Sequence, residues 1–277
     1  MTKIIITGET SYLAQGIKDS FVQDDVTILF MPDLEKNADL IRSADVVINF
    51  CLHPEFSSRN FTVDEIIDTD IAKCIQGTDV RYFFLSSRKV YGSSQDITVY
   101  KEEAPLAATD FYSRNKIKEE AHLKSILGDQ LTIVRIANVI GEPILRKGYK
   151  TFIGWITSEM AQKHHLTATE NPSTVKDYIT RTYLQSALHA LVHADARGVY
   201  NIGSGFGTSL FELLTEMVGP QNVDFDSSKA PKDQFILDCQ KLHRHVLPMT
   251  KPMLISQCRK NQRILRAAYE QKELIYA

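Results

Sequence analysis

Apolar, β-branched residues fall in short blocks along the first half of the chain. Residues 4–7, 26–31, 46–50, 82–86 and 131–136 form runs of the length a strand needs and too short for a buried helix. Between them, residues 14–22, 38–43, 63–76 and 112–127 carry apolar positions at helical spacing. Strands this uniformly apolar, joined by helical crossovers, predict a parallel sheet covered on both faces. That is a doubly wound α/β fold, in which ligands bind beyond the carboxyl ends of the strands.

The pattern loosens after residue 141. EPILRKGYK is polar and basic, and helices are predicted over 151–162, 183–192, 209–218 and 251–269. The expected organisation is a nucleotide-binding domain over 1–141 and a smaller lobe over most of 142–277, with some later segments returning to the sheet. A binding cleft is then expected between sheet and lobe.

Composition narrows the function classes. At 277 residues, 43% hydrophobic and 24% charged, the chain is ordinary for a soluble globular protein. Its net charge of -2 offers no electrostatic footprint for nucleic acid, and Arg146, Lys147 and Lys150 form its nearest approach to a basic cluster. No apolar run approaches the ~20 residues that span a bilayer. MTKIIITG lacks the basic-then-apolar pattern of a secretory signal. Cys51, Cys74, Cys239 and Cys258 show no metal-like spacing. Free thiols in a reducing cytoplasm are expected.

Three stretches carry candidate chemistry. The first is ITGETSYLAQGI, directly after the first strand. A dinucleotide loop places glycines for a tight turn, for backbone approach to the pyrophosphate and for close helix packing. Here those positions hold Gly8, Ser11 and Ala14, so the stretch reads either as a modified cofactor loop or as an ordinary strand-to-helix turn. In a cofactor loop, Gly8, Thr10, Ser11, Tyr12 and Leu13 line the phosphates. The second stretch, FYSRNKIKEEA, puts Tyr112 and Lys116 four apart on one helix face. The pair reads either as a chance YxxxK on an exposed helix or as catalytic, since an ammonium there favours phenolate and lets the tyrosine exchange a proton with a substrate hydroxyl. The third, FFLSSRKVYG, ends a strand with Ser86 and Ser87, either turn caps or holders of a substrate oxygen.

Taken together and in this order, these motifs resemble the extended short-chain dehydrogenase/reductase family of sugar-nucleotide epimerases, dehydratases and reductases. The resemblance covers nearly the whole chain. DVVINFCL resembles the strand whose end, Phe50, Cys51 and Leu52, lines the cofactor; IVRIANVIGE, VKDYI, VYNIGSG and FILDCQKL resemble later segments of the family. It implies a Rossmann-like fold with a C-terminal substrate-binding lobe. It also implies Tyr112 as acid/base, Lys116 as its activator and ribose ligand, and Ser87 as the serine that orients the reacting oxygen. Ser86 would contact cofactor, and Asn138 the substrate phosphate or sugar. Arg88, Arg146, Lys150 and Arg181 are further substrate candidates, the basic ones as partners of a nucleotide diphosphate.

Departures from the family pattern narrow the activity. Family 4,6-dehydratases carry an Asp-Glu pair after the catalytic hydroxyl residue, where this chain has Arg88 and Lys89. Reductases that also epimerise neighbouring carbons use a cysteine where Lys89 stands. A 4-keto reductase and a 4-epimerase retaining NAD both stay open, the compact lobe favouring the reductase. A non-catalytic nucleotide sensor is a third reading. NAD is favoured over NADP, because the second strand ends LFMPDLEK without an arginine for a 2′-phosphate. Asp33 resembles the family aspartate at the adenine, with Leu34 beside it. Helices 63–76 and 112–127 carry apolar positions on more than one face, consistent with a homodimer or with burial inside one chain.

Overall fold

A computed structural model describes residues 1–144, 151–226 and 229–270. Six parallel strands form the central sheet: β1 (Lys3–Thr7), β2 (Asp25–Leu29), β3 (Val46–Asn49), β4 (Arg81–Ser87), β5 (Leu131–Ile136) and β6 (Gly198–Ile202). Their spatial order is β6-β5-β4-β3-β1-β2. The order reverses between β1 and β3, and such a switch point opens a crevice at the carboxyl ends. β6 comes from the second half of the chain, so the sheet is completed by a segment that follows the first lobe helix.

Helices α1 (Leu34–Arg42), α2 (Ile67–Ile75) and α3 (Phe111–Leu127) cover one face. Ile41, Ile71, Ile75, Leu123 and Leu127 pack there on Ile5, Val47, Tyr82, Phe84 and Ile133. Burying side chains of this size contributes about 1.5–3 kcal/mol each. The exposed positions of α2 and α3 are mostly polar or small (Asp70, Lys73, Lys118, Ala121, Lys124 and Ser125), with Phe111 at the start of α3 as the apolar exception.

The opposite face shows the main departure from the predicted elements. No α-helix links β1 to β2. Residues 9–16 make successive turns, closed by Ser11 N–H to Gly8 O, Ala14 N–H to Ser11 O and Ile17 N–H to Ala14 O, and end in a 3-10 turn at Ile17–Ser20. Gly16 sits at φ 74, a left-handed conformation that halts a helix starting near Ala14. Ile17 and Phe21 are still buried, packed in the same core as Leu184, Leu188 and Leu191 of α5 (Arg181–His193). α5 thus covers the face that a longer crossover helix would cover.

The remaining described elements build the lobe: α4 (Phe152–Lys163), α6 (Leu210–Val218), α7 (Lys251–Glu270) and short strand pairs. One pair joins Asn138–Ile140 to Tyr178–Thr180. Another joins Val99–Tyr100 to Ile236–Leu237. Asp177, fully buried, holds this region together by accepting from Ser204 N–H and hydroxyl, Gly205 N–H and Leu237 N–H. No helix among the described residues is long and apolar enough to cross a membrane.

Candidate active site

The β1 turn lies against the end of β3. Gly8 adopts φ 88, and a Cβ there would meet Cys51 N and Phe50 C at 2.7 Å. Only glycine fits this approach. Across the switch point Thr7 Oγ1 donates to Asn49 Oδ1 at 2.6 Å, and the same oxygen accepts from Cys51 N–H at 2.9 Å. Phe50 is buried, while Cys51 and Leu52 border the crevice.

The loop after Gly8 is tied to the lobe. Tyr12 turns inward, its hydroxyl accepting from Gly141 N–H at 2.6 Å and its ring lying 5.1 Å from the Arg181 guanidinium. Burial pushes the Tyr12 phenol up to about 12, with Arg181 opposing. Arg181 donates to Gln15 Oε1 at 3.1 Å and pairs with Glu142. Gln185 donates to Gln15 O at 2.8 Å. Arg181 therefore stands as a clamp on the turn after β1.

Ser87 closes β4 and caps the 3-10 turn Arg88–Tyr91, its Oγ accepting from Lys89 N–H. Asp110 caps α3 through a capping box with Ser113 and pairs with Lys89 Nζ at 2.8 Å. Burial opposes ionisation of Asp110, but Lys89 and Ser113 outweigh it and bring the carboxyl down to about 2. Lys89 Nζ lies 5.8 Å from the Tyr112 ring centre, so a cation sits between the serine turn and the tyrosine. The Tyr112 ring packs edge-on against buried Phe56 at 5.8 Å. Asn115, fully buried in the YSRNK stretch, holds that wall. It accepts from Phe61 N–H at 3.0 Å and donates to Phe56 O at 2.9 Å and Arg59 O at 2.8 Å.

Beneath these residues lies a buried polar network. Lys116 Nζ is 3.0 Å from Glu119 Oε2 and 4.2 Å from the Phe84 ring centre. Burial pulls the Lys116 ammonium down, yet Glu119, Asp68 and Tyr112 together raise it, keeping it charged. Glu119 has no exposed surface, and its Oε1 has no N–H or hydroxyl donor among the described residues. Its side chain is in hydrogen-bond contact with Asp68, which also accepts from Tyr82 Oη at 2.5 Å. Two carboxylates have a donor between them only when one carries a proton. Burial, then Asp68, push the Glu119 carboxyl well above the ordinary carboxyl range, against the pull of Lys116.

Several expected site residues have partners within the chain. Ser86 is buried and donates to Glu120 Oε1, which also pairs with Arg135, so this serine belongs to the core. Arg88 is buried in a two-point ion pair with Asp233, over the Phe235 ring at 4.1 Å. Asp33 caps α1 and pairs with Lys36, and Leu34 opens that helix and packs on its core. Asn138 remains half-buried on the strand pair with Tyr178. Arg146 and Lys150 lie outside the described residues.

The sequence matches the NAD dependent epimerase/dehydratase family over residues 4–203. The chain belongs to that family. No curated protein matches it. Among solved structures it is similar to the UDP-glucose-4-epimerase from Stenotrophomonas maltophila with bound NAD and formylated UDP-arabinopyranose: 17% identity, 98% of this chain and 100% of that one, TM-score 0.77. It is also similar to the dTDP-Glucose 4,6-dehydratase from Bacillus anthracis str. Ames in complex with NAD, at 16% identity, 99% and 100% coverage and TM-score 0.74. RMD from Pseudomonas aeruginosa complexed with NADPH gives 17%, 96%, 99% and 0.73. At these identities the likeness establishes a shared Rossmann-like fold.

The residues present fit the epimerase/dehydratase cofactor with one alteration. The Gly8 cradle at the switch point suits a dinucleotide's backbone approach. The Ser11 and Ala14 amides, by contrast, are already bonded within turns, and no α-helix follows the Gly8 turn before β2 to offer its N-terminus. Sequence reasoning missed Asn115, Glu119 and Asp68. Glu119 stands next to Lys116 on a helix, but nothing in the local pattern marks it as fully buried.

Proposed function

We propose that the protein reduces the 4-keto group of a nucleotide-diphosphate sugar with a nicotinamide dinucleotide, NAD being favoured over NADP. The observation that carries this reading is the junction of Ser87 with Tyr112 through Lys89, in a turn whose own residues offer no carboxylate for eliminating water and whose neighbour Asp110 is paired with Lys89. Tyr112 Oη gives its proton to the sugar's carbonyl oxygen, and Ser87 Oγ donates to the same oxygen to hold it in line. Lys116 Nζ, charged although buried, stabilises the negative charge left on the phenol oxygen. A bound nicotinamide supplies the hydride to the sugar carbon. Phe56 and Phe61 exclude water behind the tyrosine.

A second reading, a 4-epimerase that retains NAD, is supported by the overall likeness to the UDP-glucose-4-epimerase above. One experiment separates the two. Purified protein is mixed with reduced nicotinamide and a panel of dTDP- and GDP-4-keto-6-deoxysugars, and nicotinamide absorbance is followed. Stoichiometric loss supports the reductase. No loss across the panel, with interconversion of UDP-hexoses in the absence of added cofactor, overturns it. Tyr112→Phe should lower turnover by roughly 10²–10⁴-fold. Unchanged turnover would remove the acid/base role.

A further inference from the structure

We propose that α5 and the start of β2 form a binding site for a first-row divalent transition metal ion, at the end of the sheet opposite the candidate active site. His189 and His193 stand four residues apart in the last turns of α5 and share one face, their ring centroids 4.4 Å apart. Asp24, just before β2, supplies a carboxylate from a different element. One ligand atom from each of the three residues lies within 4.8 Å of the others. Asp24 Oδ2 is already 3.1 Å from His193 Nε2.

Each part of the cluster is held in place. The Asp24 side chain is only 3% exposed, and its Oδ1 accepts from Thr2 N–H at 3.2 Å, which aims the second oxygen at the histidines. Phe21 forms an apolar wall, 5.2 Å from the His189 ring and 6.5 Å from the His193 ring. The carboxylate and His193 alone would make an ordinary ion pair. His189 is the feature that such a pair leaves unexplained: neither of its nitrogens has a hydrogen-bond partner among the described residues.

Two imidazoles and one carboxylate are the ligand set of zinc, cobalt, nickel or copper. A tetrahedral zinc site with bonds of about 2.0–2.1 Å separates its ligands by about 3.3 Å. Rotation of the half-exposed His193 ring closes the remaining gap. The fourth position faces solvent and takes water. Thr2 precedes β1 and Asp24 precedes β2, so the ion clips the last turns of α5 to the amino ends of both strands. The site rests on no assumption about the reaction.

The test uses the tag-free, full-length protein with its four cysteines alkylated, titrated with zinc chloride by calorimetry. One zinc per chain, a melting temperature that rises with zinc, and loss of both in His189→Ala and His193→Ala support the site. Affinity should fall by more than the roughly 10–100-fold that losing an outer partner of a metal ligand costs. Cobalt(II) substitution should give a visible spectrum of nitrogen and oxygen ligation. No saturable zinc binding, or binding unchanged in a folded His189→Ala variant, overturns the proposal. If alanine prevents folding, His189→Gln serves in its place.

Discussion

Glu119 offers a sharp test, because glutamine and leucine at this position separate a buried acid from a buried ion pair. Leucine removes the 3.0 Å acceptor of the Lys116 ammonium and the proton donor of Asp68 together. An uncompensated buried charge of this kind costs about 3–5 kcal/mol. With the usual unfolding entropy per residue, a chain of 277 residues would lose about 5–9 °C in melting temperature. Glutamine reproduces the acid form: its carbonyl accepts from Lys116 and its amide donates to Asp68. It should therefore lie within about 1 kcal/mol of wild type at neutral pH, or above it.

The pH dependence has a definite sign. The folded state holds the Glu119 proton more tightly than the unfolded state does. Its contribution is complete below the ordinary carboxyl value and is lost as pH rises through the raised folded value. Glu119→Gln should thus gain on the wild type as pH rises above the ordinary carboxyl value towards the raised folded one. Urea unfolding followed by far-ultraviolet circular dichroism measures each difference. If glutamine costs as much as leucine at neutral pH, Glu119 is an ionised partner of Lys116 and the shared proton is wrong.

Three further outcomes are expected. Gly8→Ala forces a left-handed residue against the backbone of Phe50 and Cys51; it should lose at least about 2 kcal/mol and most dinucleotide affinity, and wild-type unfolding and binding curves would refute the close approach. Ser11→Gly should tighten nicotinamide dinucleotide binding by freeing room at the loop, as measured by fluorescence titration; weaker binding would make the serine hydroxyl a phosphate donor instead. Arg135→Ala breaks the buried pair with Glu120 (N–O distances of 2.7 and 3.1 Å) and should cost about 3–5 kcal/mol, whereas breaking the exposed pair between Arg59 and Glu55 should leave the melting temperature near wild type.

The strands were legible because burial on both faces makes them continuous apolar runs, and residues 131–136 coincide with β5. The first crossover misled the helical reading because its apolar spacing is real. Ile17 and Phe21 are buried, but one glycine at φ 74 decides that turns present them. Ser87, Tyr112 and Lys116 could be singled out since their spacing and strand-end position are local properties. The partners of Arg88, Ser86 and Arg181 could not be foreseen, because Asp233, Glu120 and Glu142 lie 145, 34 and 39 positions away. A charged residue's role depends on who meets it, and local sequence says little about that.

The clamp on the β1 turn carries a consequence for how the chain acquires binding competence. The bonds from Arg181 and Gln185 to Tyr12, Leu13 and Gln15 close separations of 166 to 172 residues. Synthesis delivers the N-terminal strand first, and ordering so distant a pair carries a large loop-closure entropy. A ribosome-bound chain ending before residue 181 therefore holds the glycine turn without the side chains that fasten it. Dinucleotide capture should begin only once α5 has emerged and docked, which makes ligand binding a late checkpoint of assembly and a readout of whether the two halves of the chain have met.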